Sequence, residues 1–126
     1  MAYINELTED RLQEYIRQQE FQMYLQPQYS VTGNTIVGAE ALARWKHHGA
    51  FVSPAEFIPV LEQKGLIAQL DSYIWECAFA LQAQKQQEGI ALVPISLNVS
   101  REDFSEIDVY QTLTELSRRY DESPAY

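Results

Sequence analysis

Two periods of apolar residues alternate along the chain, and their order outlines a fold. Up to about Glu20 the spacing is helical, with Leu12, Tyr15 and Ile16 on one narrow stripe. Thr8 suits the N-cap, Glu9 and Asp10 complement the helix dipole, and Leu7 and Leu12 occupy the positions of a hydrophobic staple. So narrow a stripe predicts a peripheral helix. At Phe21 the period becomes two. Phe21, Met23 and Leu25 point one way and Gln22, Tyr24 and Gln26 the other, which predicts a strand that Pro27 ends or edges. Thr32-Gly33-Asn34 is a turn signal, and alternation resumes from about Thr35 to Trp45. The short connection predicts an antiparallel pair.

Helical spacing then returns. Ser53-Pro54-Ala55-Glu56 puts Ser at an N-cap, Pro at the first helical position and Glu at the third, with Val52 and Phe57 as a second staple. Pro59 is expected to kink or shorten this helix and Gly65 to close it. A long helix follows from about Leu66 to Gln87, with Ile67, Leu70, Ile74, Cys77, Ala78 and Leu81 as its buried stripe and Gly89 as its stop. Tyr73, Trp75 and Phe79 follow helical packing, and the glutamines from Gln82 to Gln87 make a solvated face. Ala91 to Val99 predicts an apolar strand. Ser105 opens a last helix carrying Val109, Leu113, Leu116 and Tyr120, and residues 121–126 have the composition of a loop. The stretch from the second strand to the third is then a βαβ unit, expected to be parallel and right-handed. Three strands and a trailing helix make an incomplete α/β layer.

Composition narrows the partners. The 126 residues suit one domain, and 46% hydrophobic content suffices for a core. A net charge of −9 repels nucleic-acid polymers and anionic membranes, so neither is expected as a partner. A small anion held by a local arginine or by metal ions remains open. Cys77 is the one cysteine, so no internal disulfide forms, and it reads as a small core residue. The first six residues carry neither a basic region nor an apolar run, no segment is apolar enough to span a membrane, and a cytoplasmic location is expected. His47 and His48 fall in the loop after the second strand with no third nitrogen or sulfur ligand nearby, which argues against a metal role.

The second strand holds the main chemical clue. Val37, Ala39, Ala41, Ala43 and Trp45 form a face suited to packing under helices. Ile36, Gly38, Glu40, Leu42 and Arg44 form the other, which in a barrel is the interior. Buried charges must be paired or used. Glu40 and Arg44 are four residues apart, roughly 13 Å along a strand, so they cannot satisfy each other. The third strand becomes polar toward its C-terminal end, at Ser96, Asn98 and Ser100, where parallel barrels build their sites. Glu40 and Asn98 are then oxygen donors near one rim, a set that suits Mg²⁺ or Mn²⁺ better than Zn²⁺. Two plainer readings stand beside this one. Asn98 and Ser100 can be helix-capping residues, and Glu40 can pair with a basic residue on a neighbouring element.

Glu40-Ala41-Leu42, followed by Ala43-Arg44-Trp45, resembles the signature of the EAL domain family of cyclic-di-GMP phosphodiesterases. Phe21 to Pro27, ending Leu25-Gln26-Pro27, then Val31-Thr32-Gly33 and Ile36-Val37-Gly38-Ala39, Pro54 to Pro59 with Glu62 and Gly65-Leu66-Ile67, and Leu97-Asn98-Val99-Ser100 up to Phe104 resemble further blocks of that family in order. The resemblance covers nearly everything from Phe21 onward, with residues 1–20 as a helical lead-in. It implies an incomplete TIM-like (β/α)₈ barrel whose first strand is antiparallel to the rest. The implied reaction is two-metal hydrolysis of cyclic-di-GMP to its linear dinucleotide with Mg²⁺ or Mn²⁺. Glu40 and Asn98 are the implied metal ligands, Arg44 contacts a substrate phosphate, and Gln26, Leu42 and Pro59 line the substrate groove.

Departures from the family pattern matter as well. Leu61 stands where alanine is common. The later metal-binding glutamate, an Asp-Asp-Phe-Gly segment, a lysine and a further glutamate do not occur in these 126 residues, where such barrels take about 250. A truncated half-barrel, inactive in isolation, is therefore expected. Its open edges should lead it to a second copy or a complementing half, and a sensor or GGDEF domain is expected in the parent protein. The rival reading is a catalytically silent module for self-association or for cyclic-di-GMP binding.

Overall fold

One long strand, built from the alternating run that contains Glu40, organises the molecule. The computed structural model describes residues 2–120. Its elements in chain order are α1 (Ala2–Asn5), α2 (Glu9–Arg17), β1 (Phe21–Tyr29), β2 (Ile36–His47), β3 (Ala50–Val52), α3 (Pro54–Gln63), α4 (Ile67–Gln87), β4 (Ile95–Ser96), α5 (Arg101–Glu106) and α6 (Val109–Tyr120). β2 is central. β1 pairs with it antiparallel, β3 pairs antiparallel with its C-terminal end, and β4 pairs with it parallel. The antiparallel first strand and the parallel βαβ pairing are those expected. The expected loop at residues 121–126 lies outside the described residues.

Local chemistry explains most boundaries. Thr8 caps α2 by accepting from the Arg11 N–H at 3.2 Å, and Leu7 and Leu12 of the staple are both fully buried. Ser53 caps α3 through the Ala55 N–H at 3.3 Å. Gly65 and Gly89 follow α3 and α4 at positive φ, as helix stops do. Pro27 does not end β1, which continues to Tyr29 with a register shift after Gln28. It sits on an edge strand, where a proline is tolerated. Pro59 does not shorten α3 either. Phe57 and Leu61 on its flanks are fully buried and hold the helix through it.

Three expectations are corrected. β2 extends to His47 and turns through His48 and Gly49, at φ 50° and 81°, into the unforeseen β3. A two-residue turn with both φ positive matches the twist of a hairpin. His47 is therefore a strand residue, buried, with Nδ1 2.8 Å from the Glu20 carboxylate. The third strand shrinks from Ala91–Val99 to Ile95–Ser96, because only that stretch finds a partner in β2. The last helix opens in two steps. Ser100 begins α5, the chain extends at Ile107, and Asp108 accepts from the Gln111 N–H at 3.0 Å to start α6.

The core has two parts. The larger gathers Leu7, Leu12, Phe21, Trp45, Phe57, Leu61 and the N-terminal half of α4. Phe21 stacks on Trp45 at 5.0 Å between centroids, and Phe57 meets both edge-on. The smaller joins Trp75 to Val109 and Leu116. α4 serves both, so Trp75 is fully buried while Cys77 and Leu81 of the expected stripe are only half-buried. Burial pushes the Cys77 thiol up, which suits a packing residue. Among the described residues no helix is long and apolar enough to cross a membrane.

Phe57→Ala removes the ring that closes the aromatic cluster and is expected to cost about 3–5 kcal/mol, out of the roughly 5–15 kcal/mol typical of a domain. Urea unfolding measures this; an unchanged midpoint would contradict the packing described.

Candidate functional site

The parallel pairing of β2 with β4 decides which polar groups meet. It sets Ala39 opposite Ile95 and Glu40 opposite Ser96. Gly38 permits this approach, since a Cβ there would come within 3.3 Å of the Pro94 carbonyl oxygen. Ala39 N–H donates to that same carbonyl at 3.0 Å. Asn98, two residues beyond Ser96, then reaches back across the gap. Its Nδ2 donates to Glu40 Oε2 at 3.1 Å and to the Ala41 carbonyl at 3.4 Å. Trp75 Nε1 donates to the Asn98 carbonyl at 3.0 Å, which fixes the backbone from α4. The partner of Glu40 is thus an amide rather than a base, and Ser100, not Asn98, precedes the helix.

The concave face follows from the β1–β2 register. Gln26 lies opposite Glu40, Tyr24 opposite Leu42 and Gln22 opposite Arg44. Directly opposed residues of an antiparallel pair share a face. Gln26 and Tyr24 are exposed, whereas Glu40, Leu42 and Arg44 are half-buried. Arg44 Nη1 donates to the neighbouring Ala43 carbonyl at 3.0 Å, and among the described residues its guanidinium forms no ion pair. Leu42, Arg44 and Asn98 line a cavity of about 190 Å³, closed from α3 by Pro54 and Ile58 and from α4 by Asp71. Pro59 is exposed on α3 and does not line it. A larger hollow of about 680 Å³ lies near the C-terminal end of α4, against Ile90 and Tyr120, and holds neither Glu40 nor Asn98.

A family model, the EAL domain, matches residues 9–126. The chain belongs to the EAL domain family. Among curated relatives, the cyclic di-GMP phosphodiesterase PA2567 of Pseudomonas aeruginosa is 33% identical over 80% of this chain and 17% of that protein. The biofilm architecture maintenance protein MbaA of Vibrio cholerae is 31% identical over 86% of this chain and 14% of its own length. The solved structure described as the PaMucR phosphodiesterase in complex with c-di-GMP superposes with a TM-score of 0.78 at 23% identity, covering 89% of this chain and 46% of that one. The EAL chain therefore spans less than a fifth of these two relatives and under half of that solved structure. Its fold is a partial, unclosed TIM-like barrel.

The donor set of this EAL chain is short for a metal site. Glu40 offers a carboxylate and Asn98 an amide, which presents Oδ1 in place of Nδ2 when the side chain turns over. A hard divalent ion takes about six oxygens. Among the described residues no three His, Cys, Asp or Glu side chains come together to complete a ligand set. The two residues fit part of the coordination sphere of Mg²⁺ or Mn²⁺, and no more.

Two residues that shape the site escaped the sequence pattern. Trp75 reads as plain core, yet its indole N–H carries the contact to Asn98. Asp71 sits between Leu70 and Ile74 on the apolar side of α4, which was the available signal. Its carboxyl is pushed up to about 7, first by burial and then by the Asp103 carboxyl, against the opposing hydrogen bonds from Ser100.

Trp75→Phe keeps a buried ring and removes only the donor to Asn98. It is expected to cost about 0.5–1.5 kcal/mol, the net worth of one hydrogen bond, and to speed hydrogen exchange at residues 98–100. Unchanged exchange there would contradict this role for Trp75.

Proposed function

We propose that residues 21–126 supply the first half of a phosphodiesterase site that hydrolyses cyclic-di-GMP to the linear dinucleotide. The observation that carries the reading is the contact between Glu40 and Asn98 where the parallel pairing of β2 with β4 ends, beside a cavity lined by Arg44. The names of curated relatives support the substrate class. In this reading Glu40 and Asn98 ligate Mg²⁺ or Mn²⁺. Bound divalent ions would supply a nucleophilic water and neutralise charge on the leaving oxygen. Arg44, unpaired with any carboxylate among the described residues, turns its forked donors to a substrate phosphate. Gln26 and Leu42 line the groove for the rest of the substrate, and Pro59, away from the cavity on α3, is left out of it.

The same geometry limits what these residues do by themselves. With two oxygen donors where about six are wanted, the 126-residue chain is inactive in isolation. Exposed Tyr24 and Leu25, and the single pairing of β4, leave a surface that suits a second copy or a complementing half-barrel. A silent self-association or ligand-binding module is the alternative these exposed edges favour. The far greater length of the relatives leaves room for sensor or GGDEF partners beside such a domain.

Calorimetry of the chain with Mn²⁺ is expected to show weak binding that Glu40→Gln and Asn98→Ala each reduce about ten-fold or more, as losing a direct ligand should. Cyclic-di-GMP incubated with the chain and Mn²⁺ is expected to stay uncut. Equal Mn²⁺ binding in both variants would overturn the ligand assignment, and enzymatic cleavage would overturn the proposed inactivity. Light scattering is expected to report a dimer or larger; a monodisperse monomer would contradict the association.

A further inference from the structure

Ser100 stands between two carboxyl groups. Its Oγ–H donates to Asp71 Oδ2 at 2.6 Å, and its backbone N–H donates to Asp103 Oδ2 at 2.8 Å. Asp103 is completely buried, and among the described residues its Oδ1 has no hydrogen-bond partner. The Asp71 and Asp103 side chains are themselves within hydrogen-bonding reach of each other. Among the described residues neither forms an ion pair with a base. Two ionised carboxylates in such contact repel, and a buried acceptor without a donor is costly. A single proton resolves both problems. With Ser100 donating to Asp71 Oδ2, Asp71 Oδ1 is the atom left to carry such a proton toward Asp103.

The position of this pair gives it a task. α4 grips the segment that carries Asn98 at two points one helical turn apart: Trp75 holds the Asn98 carbonyl and Asp71 holds the Ser100 hydroxyl. Asp103 holds the Ser100 backbone from α5. We propose that Asp71 and Asp103 share one proton beside Ser100, and that this protonated pair clamps the end of β4 so that Asn98 stays against Glu40. Asp71 and Asp103 are positioning residues in this account. The consequence for the site rests on the reading of Glu40 and Asn98 given above; the clamp itself does not.

The surroundings favour retention of the proton. From β2, Arg44 lines the same cavity as Asp71 without pairing with it. From α3 the lining residues are Pro54 and Ile58, both uncharged. From α5 the charged residues besides Asp103 are Arg101, Glu102 and Glu106, and only Asp103 acts on Asp71 among the causes of its shift. The folded chain therefore keeps on Asp71, up to about pH 7, a proton that an unfolded aspartate releases near 3.8. The sign follows. The clamp's contribution to stability is complete below about pH 4, declines as pH rises through 7, and is flat above.

Carbon-13 and amide NMR of the whole chain test this. The Asp71 carboxyl carbon is expected to titrate near pH 7, with the Ser100 amide and the Asn98 side-chain amide shifting at the same midpoint. Asp71→Asn keeps a donor for Asp103 and an acceptor for Ser100. It should hold both reporters at their low-pH positions from pH 5 to 8.5 and flatten the fall in melting temperature between pH 4 and 7. An Asp71 midpoint below 5, or an Asn98 amide that ignores the titration, would overturn the clamp. So would an Asp71→Asn chain that keeps the wild-type pH response. Adding Mn²⁺ separates the two readings: an Asn98 amide that follows Asp71 but not the metal upholds the clamp and removes the metal assignment.

Discussion

Two residues of parallel pairing, Ala39 with Ile95 and Glu40 with Ser96, determine where each polar group of the concave face ends up. Side chains alternate across a strand, so a slip of one residue would send Glu40 under the helices and Asn98 away from it. The pairing is held from several directions. The Pro94 carbonyl accepts from Ala39, Gly38 leaves room for it, and α4 secures the segment after β4 through Trp75 and Asp71. The contact between Glu40 and Asn98 is the product of these restraints rather than a bond strong enough to impose them.

The restraints work because the outer face of β2 is immobilised first. Ala41 and Trp45 are buried among Phe21, Phe57 and the start of α4. At the lower end Glu20 accepts from the Trp45 indole at 3.0 Å and lies 2.8 Å from His47 Nδ1. An aromatic anchor with its polar edges satisfied leaves β2 little freedom to shift. The inner face can then carry Glu40 and Arg44, whose half-exposed positions cost less than full burial would. Stability rests mainly on the outer face of the strand, and the cavity beside Arg44 borders it at Ala41 and Ala43.

That division explains what the sequence made legible. Strict alternation from Ile36 to Trp45 exposes both faces of β2 directly, and capping residues mark α2 and α3 because their signals are local. β3 was illegible, since three residues carry no period and the turn depends on His48 adopting positive φ. The stop of α5 at Ile107 was hidden inside a continuous helical pattern. The length of β4 depends on a partner far away in sequence, which composition does not report. In the site, Glu40, Arg44 and Asn98 stood out as polar residues on expected inner faces. Asp71 and Trp75 did not, because a helix stripe shows that a residue is buried and not what its polar atom touches.

Paramagnetic relaxation by Mn²⁺ tests the central claim most directly. If Glu40 and Asn98 form one oxygen-donor site, substoichiometric Mn²⁺ will broaden first the Asn98 side-chain amide and the backbone amides of residues 40–42, and will spare α6. Broadening centred on the exposed carboxylates of α2, with the Asn98 amide left sharp, would contradict the account.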